Sequence, residues 1–348
     1  MKRILVLFLV IIMAAGVLSA CRTGDTPDPT PTATPETTRM PSEYAGERVA
    51  TTAGIVGLKG PTSMGMVQLY EKAEPLSDLV SVEYSLMTAP DKVTAGLLNG
   101  EINIAAVPTN LASVLYNKTE GNIRLLAINT FGVIHIVADK SLGITSLADL
   151  KGKKVIASGK GASPESVLNY LLDKNGLTPG TDIDVEYRTD HSEVATLMIT
   201  GEADIALLPQ PFVTTVTMKN QDLELAVDLT VEWQKVAPAG SELAMGCLIA
   251  TADFAETYPD EINKLLAAYT ESVKWVNENH SEAAALIVKH GILPEENLAK
   301  TAIPGCNIRY VGPQESKDIL NTYFEILKGF EPKSIGGKLP DDDFYFKP

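Results

Sequence analysis

The chain has 348 residues, of which 44 are acidic and 29 basic, giving a formal charge of −15. So acidic a balance disfavours nucleic acid and anionic lipid as electrostatic partners, because both recruit clustered Lys and Arg. The four histidines show no ligand spacing such as H-x-x-x-H and no cysteine has a C-x-x-C partner, so no metal and no cofactor is expected.

Residues 1–20 read as an export signal: Lys2 and Arg3 open it, an apolar run from Ile4 to Val17 follows, and Leu18-Ser19-Ala20 closes it. The apolar run is shorter than the ~20 residues that a membrane span needs. Leu18-Ser19-Ala20-Cys21 resembles a bacterial lipobox, which implies cleavage before Cys21 and lipidation of that residue. Removing residues 1–20 takes away Lys2 and Arg3 and no acid, so the charge falls by two to −17. Residues 21–46 follow as a Pro- and Thr-rich tether, TPDPTPTATPETT at its centre, too polar to bury a core. The body from Glu47 onward is long enough for two ordinary domains. With Cys21 committed to lipid, Cys247 and Cys306 are left either as a disulfide, which export permits, or as two buried thiols.

The body repeats itself. VTAGLLNGEINIAAVPTNLASVL (Val93 to Leu115) aligns without gaps on VATLMITGEADIALLPQPFVTTV (Val194 to Val216) at an offset of 101, so that Pro108 falls on Pro209. At the same offset Lys59-Gly60 falls on Lys160-Gly161 and Thr62 on Ser163, while Val82-Glu83-Tyr84 matches Val185-Glu186-Tyr187 at an offset of 103. In chain order each copy reads as a β-rich run (Val49 to Val56, or Lys154 to Ala157), a Gly loop, a helix, a strand ending at Val-Glu-Tyr, a second helix (Asp91 to Asn99, or Ser192 to Thr200) and a third strand ending at the Pro. Ile123 to Ile128 and Leu223 to Val227 supply a further strand in each. Alternating strands and helices imply parallel sheets with helices on both faces. The runs Val133 to Ala138 and Met245 to Phe254 lead out of the two copies, and helices without a counterpart follow, with Ile262, Leu265, Leu266, Tyr269, Val273 and Val276 at helical spacing. The expected architecture is α/β: two pseudo-repeated lobes joined by two crossing strands, lobe 1 comprising residues 47–136 and 247–348 and lobe 2 residues 137–246.

Such a repeat specifies its own site, because ligands of open α/β sheets lie beyond the carboxyl ends of the strands. GLKGPTSMGM (Gly57 to Met66) has the two glycines of a Walker-type loop, yet Met66 and Val67 stand where Lys and Ser/Thr are required, so it is not a nucleotide loop. Paired with SGKGASPESV it becomes half of a clamp. Gly60, Pro61, Thr62, Ser63 and Met64 face Gly161, Ala162 and Ser163 in this reading, with Thr62, Ser63 and Ser163 suited to cap the helices that begin there. Thr109 and Asn110 answer Gln210 and Pro211 after the third strands, and Asn129 and Thr130 end the last strand of lobe 1 beside the hinge. Lys59 and Lys160 are candidate anion contacts, and Phe131, Phe212 and Trp233 are candidate ring-stacking residues that equally suit a core. No G-x-S-x-G surrounds Ser63, and no nucleophile, base and orienter come together, so no catalytic residue is assigned.

The lipobox, SLADLKGKKVIASGKGASPE (Ser146 to Glu165), GEADIALLPQP (Gly201 to Pro211) and WVNENHSEAAALIVKHG (Trp275 to Gly291) together resemble substrate-binding lipoproteins of ABC importers, of the nitrate, sulfonate, taurine and thiamine-precursor type. The resemblance implies a periplasmic-binding-protein-like (type II) fold whose lobes close on a small molecule and then dock on an ABC permease. It also implies a lipid-anchored, extracytoplasmic, monomeric protein that is not an enzyme. Carried over, the ligand-facing loops match Gly60 to Met64, Thr109-Asn110, Gly161 to Ser163 and Gln210-Pro211. Those loops contain no Arg, and the Arg/Asp clamp of amino-acid binders is not evident, which points to a neutral or weakly anionic, partly aromatic ligand rather than a zwitterion. Two alternatives stay open: an enzyme of the menaquinone or pyrimidine-synthesis type, which shares such a fold, and a ligand-sensing receptor without transport.

Overall fold

The computed structural model describes residues 46–347. The export signal, Cys21 and the tether before Gly46 lie outside the described residues.

Each copy of the repeat builds the expected strand and helix alternation. The first runs through β1 (Thr51–Leu58), α1 (Pro61–Met64), α2 (Val67–Lys72), β2 (Val80–Met87), α3 (Pro90–Asn99), β3 (Ile104–Pro108), α4 (Thr109–Lys118) and β4 (Ile123–Phe131). After β5 (Ile134–Asp139) the second runs through β6 (Lys154–Ser158), α5 (Ser163–Lys174), β7 (Asp184–Arg188), α6 (His191–Thr200), β8 (Ile205–Pro209), α7 (Phe212–Lys219), β9 (Leu223–Asp228) and α8 (Leu229–Val236). Then come β10 (Ala244–Thr251), α9 (Ala252–Thr257), α10 (Pro259–Glu278), α11 (His280–Lys289), α12 (Glu296–Ala302), β11 (Ile308–Val311) and α13 (Ser316–Phe330). The prolines that open α1 and α3 at their first positions suit a place whose N–H would have no helical partner.

The strands form two sheets, ordered β11-β4-β10-β3-β1-β2 and β7-β6-β8-β5-β9. In the first, β2, β1 and β3 are parallel and β10 is antiparallel to β3; in the second, β7, β6 and β8 are parallel and β5 is antiparallel to β8. The antiparallel strand of each sheet therefore comes from the stretch of chain that follows the other copy: β5 follows β4, and β10 follows β9 and α8. Those are the two crossing strands. The crossings meet where Gly132 N donates to Leu243 O at 2.8 Å. Gly132 has φ +40, and a β-carbon there would lie 2.2 Å from Thr230 Oγ1, so both backbone conformation and space require glycine.

One element of the repeat is misaligned. Val82 pairs with Ala53 whereas Val185 pairs with Val155, the equivalent of Gly54, so the two Val-Glu-Tyr triplets sit one residue out of register. A one-residue slip reverses the faces of a strand, and the triplet match at offset 103 is a likeness of composition, not of position.

All nine residues of β4 are buried, as expected of a strand covered on both faces. The apolar stripe of α10 packs on the first sheet side, and Leu320, Tyr323, Phe324 and Leu327 of α13 are fully buried. Helix α13 also touches the second copy: the Tyr323 and Trp233 ring centroids are 6.0 Å apart, and Trp233 in turn lies 5.0 Å from Tyr170 of α5. Phe131 and Trp233 both belong to this core, Phe131 with the Arg309 guanidinium 4.1 Å from its ring centroid. Cys247 and Cys306 are separate buried thiols, and burial pushes both pKa values up.

Candidate ligand-binding site

A cavity of about 570 Å³ lies between the two sheets. Six helices begin at its wall, each just past the carboxyl end of a strand, and their first-turn residues Pro61, Pro90, Asn110, Ser163, His191 and Phe212 line it. Unbonded N–H groups at helix starts favour electron-rich ligand atoms. Among the described residues no Arg lines the cavity, and the formally charged residues that do are Lys59 and Asp190, both exposed at the rim.

The repeat governs the lining. Leu58 and Gly159, Pro61 and Ala162, Thr62 and Ser163, Thr88 and Thr189, Pro90 and His191, Pro108 and Pro209, Asn110 and Pro211, and Leu111 and Phe212 are eight pairs separated by 101 positions, and all sixteen residues line this one cavity. The two copies thus present equivalent surfaces to a shared space.

Of the residues singled out from sequence, Gly60, Pro61, Thr62, Asn110, Thr130, Ala162, Ser163, Gln210 and Pro211 are at the cavity wall, while Ser63, Met64, Thr109, Asn129 and Gly161 are not. The reasons are local. Helix α1 is a single turn, so only one side of it meets the cavity; Ser63 and Met64 point back to the first sheet and are fully buried. Neither Thr62 nor Ser63 caps the helix: both hydroxyls donate to Leu58 O, Thr62 at 3.3 Å, and Gly60 and Ala162 occupy the cap positions without a side-chain bond. Thr109 is fully buried at the start of α4. Gly161 N donates to Glu165 Oε2 at 2.6 Å and so is turned to its own helix.

Asn129 works from behind the wall. Its Nδ2 donates to Thr62 O at 3.2 Å and its Oδ1 accepts from Thr130 Oγ1 at 3.0 Å, so one buried amide positions residues on β4 and α1 together. The space is so close that a β-carbon on Gly246 would lie 2.6 Å from Thr62 Cγ2 and 2.8 Å from Asn129 Oδ1. On the second sheet Gln210, joined to Pro211 by a cis peptide, is held against the first turn of α7: its Oε1 accepts from Thr214 N at 3.2 Å and from Thr214 Oγ1 at 2.8 Å. Ser163 stands beside the Tyr323 hydroxyl, which contacts Met245 Sδ at 3.5 Å. Lys59 lines the cavity, whereas Lys160 lies over the Tyr187 ring, 5.8 Å from its centroid.

Sequence reasoning missed one corner. Ser158, the last residue of β6, is hydrogen-bonded to His191 Nδ1, and the His191 and Phe212 rings are 5.5 Å apart at 46°. Burial holds the His191 imidazole below its ordinary pKa, with the Asp190 charge opposing, so the ring is neutral. A hydroxyl on an imidazole is the first half of a nucleophile and base pair. The adjoining carboxylate, however, caps α6: Asp190 Oδ1 accepts from Glu193 N at 2.9 Å and does not orient the ring. The signal that pointed here was the offset itself, which puts His191 opposite Pro90 at a helix start. Among the described residues no group of three His, Cys, Asp or Glu is placed to hold a metal ion, and no helix is long and apolar enough to cross a membrane.

The family model described as NMT1/THI5 like matches residues 80–283. A curated protein of Bacillus subtilis (strain 168), YtlA, is 22% identical over 206 residues, and the match spans 58% of each chain. A solved structure described as an ABC transporter from Parabacteroides distasonis is 24% identical, with a TM-score of 0.73, covering 85% of this chain and 98% of that one. The periplasmic aliphatic sulphonate binding protein SsuA of Escherichia coli is 17% identical, with a TM-score of 0.70, covering 85% and 92%. At these identities the structural likeness establishes the fold: two α/β sheets arranged as in periplasmic binding proteins.

Proposed function

The chain belongs to the NMT1/THI5-like family, and we propose that it is an extracytoplasmic solute-binding lipoprotein that captures a small organic molecule between two lobes and delivers it to an ABC importer. It is not an enzyme. The observation that carries the reading is the pairing of cavity residues at an offset of 101, which gives the ligand two equivalent walls on separate sheets. The lobe built on the first sheet and the lobe built on the second close about the crossings near Gly132 and Leu243. Cys21 carries the lipid anchor, and the acidic tether holds the body away from the membrane.

The contacts fall to Gly60, Pro61, Thr62, Asn110, Thr130, Ala162, Ser163, Gln210 and Pro211. The helix starts, the lack of Arg and the apolar surfaces of Leu58, Leu111, Phe212 and Met245 suit a neutral or weakly anionic, partly aromatic compound. Native mass spectrometry of the purified body tests the reading. A stoichiometric adduct, lost on unfolding and restored after refolding, is expected. Re-addition at a hundredfold its Kd adds about 2.7 kcal/mol of stability. The absence of both an adduct and a thermal shift across a panel of anions and heterocycles would sink it.

A further inference from the structure

We propose that Ser158, His191 and Phe212 form a subsite that reads one hydrogen-bond acceptor on a flat, unsaturated part of the ligand, a carbonyl oxygen or a ring nitrogen, through the Nε2–H of a neutral His191. The inference rests on the binding function proposed above and specifies one end of that same cavity.

The tautomer follows from the buried hydroxyl. Ser158 is 2% exposed, and the one side-chain hydrogen bond of its hydroxyl within the described residues is with His191 Nδ1. A buried hydroxyl proton needs an acceptor, and the imidazole nitrogen is the one in reach, so Ser158 donates and Nδ1 accepts. In a neutral ring that assigns the proton to Nε2. Burial favours the neutral ring, and Asp190, whose charge opposes that, is engaged with the Glu193 amide.

The donor stands beside an aromatic ring. Phe212 lines the cavity with it, as do Thr189 and Asp190, which precede His191 in the chain, and the Phe212 ring is tilted 46° against the imidazole. A donor set against the Phe212 ring discriminates, because a ligand lacking the acceptor leaves it unpaired. The subsite also breaks the symmetry of the repeat. At an offset of 101 the counterparts of Ser158, His191 and Phe212 are Gly57, Pro90 and Leu111, none of which carries a side-chain donor. The two walls carry different groups at these positions, so a bound molecule takes one orientation, its acceptor end toward the second sheet.

Imidazole ¹⁵N spectra of the intact folded body, titrated with benzamide, pyridine and toluene, test this. Nδ1 is expected in the unprotonated range and Nε2 in the protonated range. Benzamide or pyridine should displace the Nε2 signal, benzamide alone identifying a carbonyl and pyridine alone a ring nitrogen, while toluene leaves it in place. His191→Phe should weaken the responding probe at least about tenfold without altering toluene binding. His191→Gln, which restores an N–H at similar reach, should recover part of the loss, and a Tm within a few degrees of the parent excludes misfolding. A proton on Nδ1, or equal binding of both acceptor probes to the parent and to His191→Phe, overturns the subsite. If neither acceptor probe binds while native mass spectrometry finds a retained compound, the subsite fails and the binding function stands. If neither a probe nor a retained compound is found, both fail.

Discussion

Thr62 and Ser163 are 101 positions apart in the chain and line the same cavity from opposite sheets. Duplication of an α/β unit explains the relationship, since each copy ends its first strand in a Gly loop and starts a helix there. Their helix positions differ by one: Thr62 follows Pro61 as the second residue of α1, and Ser163 is the first of α5. The shared space survives because the strands that aim the loops, β1 and β6, hold equivalent places in their sheets.

Closure can be blocked from outside the cavity wall. A β-carbon at Gly305 would lie 2.8 Å from Gln210 Nε2, and Gln210 cannot swing away freely because Thr214 holds its Oε1. Gly305→Val should therefore wedge the first-sheet side against the second. We expect ligand affinity to fall at least about tenfold, ~1.4 kcal/mol, by calorimetry, with the Tm of ligand-free protein little changed.

Trp233 ties the two copies together. It is fully buried between Tyr170 and Tyr323, and its Nε1 donates to Ser241 Oγ at 3.1 Å. Trp233→Ala should cost about 3–5 kcal/mol in urea unfolding. Trp233→Phe, which keeps a ring in the gap, should cost clearly less.

Acid should weaken the fold before the carboxylates titrate. His135 is 3% exposed, its Nδ1 lies 3.7 Å from Asp228 Oδ1, and burial lowers its pKa against the opposing pull of that carboxylate. The unfolded chain then takes up a proton near pH 6.5, where the folded one does not, so stability falls as pH drops below that value. His191 shifts in the same direction, again through burial. Glu71, Asp182 and Glu186 have lowered pKa values through their basic or amide partners, and their contribution is lost only at lower, carboxylate pH. Tm at pH 5.5 should lie below that at pH 7.5, and His135→Phe should flatten part of this slope.

The thiols of Cys247 and Cys306 should be inert in the native protein. Both are fully buried and burial raises their pKa values, which leaves little thiolate to react. Iodoacetamide should label neither until denaturant is added, and both afterwards; rapid native labelling at either position contradicts the packing.

Much of this was legible in the sequence because duplication doubles a weak signal. The expected ends of β3 and β8 at Pro108 and Pro209 are where those strands end. The family resemblance read from the Ser146 to Glu165 and Gly201 to Pro211 segments agrees with the family match. What escaped was information that local sequence does not carry. A four-residue turn decides that Thr62 meets the cavity and Met64 does not, and no periodicity can be read over so short an element. Ser158 and His191 are 33 positions apart, and only the adjacency of β6 to β7 and α6 brings them into contact. The Val-Glu-Tyr triplets misled because a half-buried edge strand repeats its pattern every two residues and tolerates a slip.

The most direct test is a crystal structure of the protein purified with its retained compound. The account predicts a molecule enclosed between the sheets, in contact with Thr62 on one side and Ser163 on the other. A compound held by one sheet alone, or bound outside this cavity, would contradict it.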